Sequence, residues 1–166
     1  MAQTSTLPRP HLTQLDVIHC ARTTIAAVAS LLVARLFKLP EAYWAPITSI
    51  VVMQSTLGAA LTASGQRFVG TALGAIAGAV LATFCGANVI AFAAGLFVCG
   101  LLCALARLHW NAYRFAGVTL AIVMLVSGPR SPLVLAFHRF LEVSIGIAVA
   151  LLLTAVWPEP QPQLSD

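Results

Sequence analysis

The chain reads as an all-α integral membrane protein of six transmembrane helices, arranged as a 3+3 inverted repeat. Three observations predict this. First, 60% of its 166 residues are hydrophobic and 8% are charged, whereas a soluble domain carries about 25% charged residues. That leaves too little polar surface to cover a globule in water, so the bilayer is the expected solvent. Second, the apolar residues fall into six near-continuous runs without strict alternation. This argues against a β-barrel and for helices that satisfy their own backbone groups in lipid. Third, Gln66-Arg67-Phe68-Val69-Gly70-Thr71-Ala72-Leu73-Gly74 is echoed 72 residues later by His138-Arg139-Phe140-Leu141-Glu142-Val143-Ser144-Ile145-Gly146.

Residues 1–15 are polar, contain Pro8 and Pro10, and lack the apolar core of a cleavable signal peptide. They read as a disordered N-terminal extension. Residues 16–157 read as the membrane domain, with 16–86 as repeat one and 87–157 as repeat two. The first run is Val17–Phe37. The second, Tyr43–Gln54, opens with Tyr43 and Trp44, which suit an interfacial aromatic belt, with stacking on an aromatic substrate as the alternative. Pro46 lies in its first turn, where proline is tolerated. The third run is Gly58–Phe84, the fourth Val89–Ala106, the fifth Ala112–Val126 and the sixth Leu133–Trp157. Residues 158–166 hold Pro158, Pro160 and Pro162 and cannot continue a helix.

Further matches sit at offsets of 70–72: Ala34-Arg35-Leu36 with Ala106-Arg107-Leu108, Ala42-Tyr43 with Ala112-Tyr113, Thr48 with Thr119, and Val52-Met53 with Val123-Met124. Three runs per half turn the second half upside down relative to the first, an organisation found in many transporters. Topology is less well marked. With the N-terminus inside, Arg9, Arg22, Arg67, Arg107 and Arg114 face Arg35, Lys38, Arg130 and Arg139 across the membrane. That is a weak positive-inside bias, and it leaves the orientation open. Runs two and five span roughly 18–22 Å at 1.5 Å per residue, short of a ~30 Å hydrocarbon core. They end at Gln54-Ser55-Thr56-Leu57-Gly58 and at Ser127-Gly128-Pro129-Arg130. Short spans at matched places point to a transport site; the alternative is that both are ordinary connections.

An intramembrane arginine costs about 2.5–3.5 kcal/mol on insertion scales. Arg67 and Arg139 therefore read either as lining an anion pathway, where the planar guanidinium matches a carboxylate, or as snorkelling to the headgroups. Glu142 shares a helix face with Arg139 and His138. It reads either as a static partner of Arg139 or as a carrier of a coupling proton. Gly70, Gly74 and Gly78, with Gly146 in the second half, form small-residue faces for close helix packing. Cys20, Cys85, Cys99 and Cys103 read as packing residues. No cofactor or metal is expected. No nucleophile–base set and no nucleotide-binding loop is readable, so an enzyme is not expected. The charge of +4 is too thinly spread for a nucleic-acid partner.

The strings Tyr43-Trp44-Ala45-Pro46-Ile47-Thr48, Val52-Met53-Gln54-Ser55-Thr56-Leu57-Gly58-Ala59 and Gln66 to Gly74 resemble the fusaric-acid-resistance and aromatic-acid-exporter family of bacterial inner-membrane proteins. Tyr113-Arg114-Phe115-Ala116-Gly117 and Leu141 to Ala150 are also similar to it, and the likeness covers about Leu15 to Trp157. Ser55 stands where the family pattern has proline, and the cytoplasmic domain of many members has no counterpart here. The resemblance implies a six-helix inner-membrane domain that exports aromatic or other organic carboxylates, with a distant likeness to plant malate channels. The residues it carries over are Gln54, Arg67, Gly70, Gly74, Arg114 and Glu142.

The expectation is an exporter of organic anions in the bacterial inner membrane, working as a homodimer. Arg67, Arg139, Gln54, Ser55, Thr56 and Arg114 are the candidate substrate residues, and Glu142 the candidate for proton coupling. A passive anion channel formed by a homodimer, and a membrane subunit with no transport of its own, are the alternatives.

Overall fold

The computed structural model describes residues 14–126 and 131–158. The N-terminal extension up to residue 13, most of the proline-rich tail and the stretch Ser127-Gly128-Pro129-Arg130 lie outside the described residues. Among the described residues there are six helices and no strand: α1 Gln14–Leu36, α2 Trp44–Val52, α3 Leu57–Cys85, α4 Val89–Leu105, α5 Trp110–Leu125 and α6 Pro132–Val156. Three stretches are long and apolar enough to cross a membrane: Val17–Leu36, Leu57–Cys85 and Pro132–Val156.

Local chemistry sets the ends of the helices. The Thr56 hydroxyl accepts from the Ala59 amide at 3.3 Å and starts α3; Asn88 Oδ1 accepts from the Ile90 and Ala91 amides at 2.8 and 3.4 Å and starts α4. Pro132 occupies the first turn of α6, where its missing N–H costs nothing. Helices α1 and α4 end in the same device. Lys38 and Arg107 adopt φ 54° and 52°, their amides donate to Arg35 O and Ala104 O, and the next residues, Leu39 and Leu108, donate to Ala34 O and Cys103 O. Both are left-handed caps closed by paired hydrogen bonds, with a basic residue where glycine is usual. The structural counterpart of Arg107 is therefore Lys38, not the Arg35 that the sequence comparison aligned with it.

Helix α2 is shorter than the run that predicted it. Its nine residues reach about 13 Å, less than half of a bilayer core. Pro40, Glu41, Ala42 and Tyr43 form turns in front of it, and the Trp44 and Ala45 amides bond to Glu41 O and Ala42 O. The corresponding residues of the second half are already part of α5.

Packing follows a regular scheme. Helix α3 lies on α5, α6 and α4; α6 lies on α2, α3 and α1; α1 packs on α2 and α4 on α5, with lesser contacts of α2 with α3 and α5 with α6. Exchanging α1 with α4, α2 with α5 and α3 with α6 leaves that set of neighbours unchanged. The third helix of each half thus packs on the second helix of the other. Close approach depends on glycine at two matched crossings. A Cβ on Gly74 would strike the Ala116 carbonyl of α5, and a Cβ on Gly146 would strike the Ala45 carbonyl of α2. Gly70 and Gly78 extend the first crossing, against Ala112 and against Leu120 and Val123.

The exterior is largely apolar, and several charged side chains are buried within an otherwise apolar core. Phe84, Val89, Ile90, Phe97, Leu152 and many similar side chains are exposed, while Arg22, Arg67, Arg139 and Glu142 are buried. A protein in water has the opposite arrangement. In a bilayer, lipid tails cover the apolar exterior and the charges must face inward.

Candidate functional site

Arg67 lies in the third turn of α3 and Arg139 in the second turn of α6. Both are buried, 6% and 2% exposed, and each guanidinium lies over an aromatic ring of the other half. Arg67 sits 4.5 Å from the centroid of Phe115 on α5, and Arg139 sits 3.9 Å from that of Trp44 on α2. Phe115 and Trp44 are themselves matched at the offset of 71 that pairs Thr48 with Thr119. The residues that follow the two arginines also meet: the matched rings of Phe68 and Phe140 lie 4.9 Å apart. The echo noticed in the sequence therefore becomes a pair of matched cation–ring contacts and a contact between the matched phenylalanines.

The two surroundings differ in charge. Arg139 Nη2 donates to Glu41 Oε2 at 2.9 Å, and its Nη1 lies 3.6 Å from Glu142 Oε2. Glu142 is 1% exposed, and neither of its oxygens has a hydrogen-bond partner among the described residues. Arg67 has no carboxylate beside it among the described residues. Its Nη2 donates to Thr48 Oγ1 at a long 3.4 Å, and its Nε is buried without a partner. Where α6 has Glu142, α3 has Gly70; at the offset of 71 that pairs Thr48 with Thr119, which replaces the pairing of Ala42 with Ala112, the place of Glu41 in the turn before α2 is taken by Ala112 in α5. Gly70 and Ala112 touch each other. Both acidic residues thus occupy positions that are small and neutral in the other half.

Of the other predicted substrate residues, Gln54, Ser55 and Thr56 form the connection after α2, whereas Trp44 and Glu41 stand at its start, about 13 Å away along that helix. They are not brought together with Arg139. Arg114 is exposed on α5. Glu142 does meet Arg139, as its spacing predicted, and His138 beside it is half-buried. Cys99 and Cys103 are buried with free thiols on α4. Two apolar grooves of about 370 and 360 Å³ lie between α3 and α6 and between α3 and α4, away from the arginines.

The sequence reading passed over three participants. Glu41 lies 98 residues from the arginine it holds, in a loop beside Pro40. Thr48 was visible as a match to Thr119, not as a partner of Arg67. Arg22 entered only as a topology marker, yet it is 0% exposed, with Nη2 3.9 Å from Met53 Sδ.

Comparison with known proteins adds to this geometry. The sequence model of the fusaric acid resistance protein-like family matches residues 26–153. The curated relative is inner membrane protein YeeA of Escherichia coli (strain K12), 32% identical over 149 residues, which cover 86% of this chain and 41% of the relative. The chain therefore spans about two fifths of the length of that relative. No solved structure matches it.

Proposed function

The chain belongs to the fusaric acid resistance protein-like family, and from that premise we propose that it exports organic anions, aromatic carboxylates above all, across the bacterial inner membrane. One observation carries the reading: Arg67 is a buried guanidinium with no carboxylate of the protein's own among the described residues. A bare cation in a bilayer is costly, and an anion that binds it relieves that cost. Arginine offers a planar fork of donors that fits a carboxylate. Phe115 presents one ring to the guanidinium, and the Phe68–Phe140 pair supplies an aromatic surface close by in sequence.

Alternating access between two inverted halves fits the packing scheme. Each third helix is clamped by glycine to the second helix of the other half. This divides the bundle into α1, α2 and α6 on one side and α4, α5 and α3 on the other, touching through α3 and α6. Rocking of these two groups about the Phe68–Phe140 contact would expose Arg67 to each face in turn. Short α2 leaves part of the membrane depth to its flanking turns, as irregular backbone inside a transporter does.

Proton coupling is assigned in this reading to Glu142. Arg139 is directly bonded to Glu41, which leaves Glu142 the more weakly held carboxyl of the two. Six helices enclose little space, so the working unit proposed is a homodimer.

The test is benzoate flux into inside-out membrane vesicles. Arg67→Ala protein, present at the normal level, is expected to lose it. Unchanged flux overturns the reading. Flux that neither saturates nor responds to a pH gradient would move the assignment to a passive channel.

A further inference from the structure

The face of α3 that carries Arg67 also carries two hydroxyls with an unusual property. Ser64 and Thr71 lie three residues before and four residues after Arg67, on the same side of the helix. They are 4% and 0% exposed. Ser64 Oγ and Thr71 Oγ1 are both buried without a hydrogen-bond partner.

That is not how hydroxyls in these helices behave. Thr24, Ser49, Thr62, Thr83, Ser144 and Thr154 each donate to the carbonyl one turn earlier, at 2.7–3.2 Å. This back-bond is the default for a Ser or Thr with no other acceptor. Apart from Thr23 on α1, Ser64 and Thr71 are the described hydroxyls that are buried and unpartnered. Buried polar groups ordinarily find partners, so each exception needs a reason.

The second half shows what the reason is. Ala136 and Val143 stand at the places of Ser64 and Thr71, so Arg139 has no hydroxyl flanks but two carboxylates. Around Arg139 the protein supplies acceptors. Around Arg67 it supplies one distant acceptor, Thr48 Oγ1, and two unpartnered hydroxyls, so an anion from outside would give the guanidinium and both hydroxyls the acceptor they lack.

We propose that Ser64 and Thr71 are the hydroxyl donors that hold the oxyanion group of the transported molecule against Arg67. The inference rests on the transport reading above and adds the residues that recognise the anion. Ser64 and Thr71 are about 10 Å apart along the axis. A single carboxylate therefore spans Arg67 and one hydroxyl, and the two hydroxyls define adjoining positions of one anion on either side of the guanidinium. A neutral primary amide offers the guanidinium a carbonyl oxygen but no charge, so a carboxylate is expected to be strongly preferred over it.

Binding of benzoate and of benzamide to the purified full-length chain in nanodiscs tests this. The unaltered protein is expected to bind benzoate in strong preference to benzamide. The double variant Ser64→Ala/Thr71→Val is expected to bind benzoate at least tenfold more weakly, since a hydrogen bond to a charged group is worth about that much. Each single variant loses less. The double variant Ser64→Thr/Thr71→Ser keeps both hydroxyls and is expected to retain benzoate affinity, separating a donor role from packing. Wild-type affinity in the alanine–valine pair, or loss of affinity in the threonine–serine pair, overturns the inference and leaves the transport reading standing. Failure of the unaltered protein to bind benzoate overturns both.

Discussion

Arg67 and Arg139 stand at matched places, each laid over an aromatic ring of the other half, yet only Arg139 meets carboxylates. The difference lies in small substitutions around a shared frame: Glu41 and Glu142 on one side, Ala112 and Gly70 on the other. It shows how one packing scheme can give a buried charge two roles. At Arg139 two acids flank one cation, and the ion pair offsets the cost of burial. At Arg67 a ring contact of about 2 kcal/mol and one long hydrogen bond stand against the cost of burial, with no opposite charge beside the guanidinium among the described residues. The first cluster carries carboxylates of its own; at the second, the counter-charge is proposed to come from a transported anion.

The largest effect that bears on this contrast is on stability. Arg139→Ala leaves the buried carboxyl of Glu142 without its cation, and breaking a buried pair costs about 3–5 kcal/mol. The thermal midpoint of purified protein in detergent is expected to fall steeply for Arg139→Ala and to hold or rise for Arg67→Ala. Equal falls would mean that both arginines are structural.

Next come the matched crossings. Gly74→Ala and Gly146→Ala each press a methyl group into a backbone carbonyl, and overpacking of this kind costs about 1–3 kcal/mol. Gly65, with nothing within 4 Å of its Cβ position, is expected to gain up to about 1 kcal/mol as alanine through helix propensity. Chemical denaturation of the three variants checks the order. Similar losses at Gly74 and Gly146 sharpen the equivalence of the halves, and a loss at one crossing alone breaks it.

Glu142→Gln separates charge pairing from proton coupling. The Arg139–Glu41 bond remains, so benzoate flux is expected to continue while no longer following an imposed pH gradient. Flux that still tracks the gradient removes Glu142 from the coupling. The smallest expected effect is Phe115→Leu, which removes the ring under Arg67. It is expected to weaken benzoate binding about fivefold with little change in thermal midpoint, in line with a cation–π contact of about 1 kcal/mol. An effect as large as that of Arg67→Ala would show that the ring, not the cation, holds the anion.

Helix number, the arginine echo and the glycine face were legible in the sequence because each has a local signature: an apolar run, a repeated string, a spacing of four. The Glu142–Arg139 contact was legible for the same reason, being one helical turn long. Glu41 was not. It sits beside Pro40 in a connection, and only the crossing of α6 over the start of α2 brings it to Arg139. Helix α2 is shorter than its run by Tyr43 at one end, where the backbone forms a turn, and by Met53 and Gln54 at the other, where it leaves the helix after Val52. The match of Arg35 with Arg107 failed because the connections of the two halves differ in length, so that one fixed offset cannot serve every helix. Ser64 and Thr71 went unnoticed because hydroxyls in apolar helices ordinarily bond back to their own turn, and whether they do so is a matter of side-chain conformation.

The most direct test of the central contrast is counterflow of benzoate in proteoliposomes containing Arg67→Gln protein, with the thermal midpoint measured on the same preparation. Loss of counterflow with the midpoint retained is the predicted result. Counterflow at the unaltered rate would contradict the account, because it would show that the anion crosses without the guanidinium of Arg67.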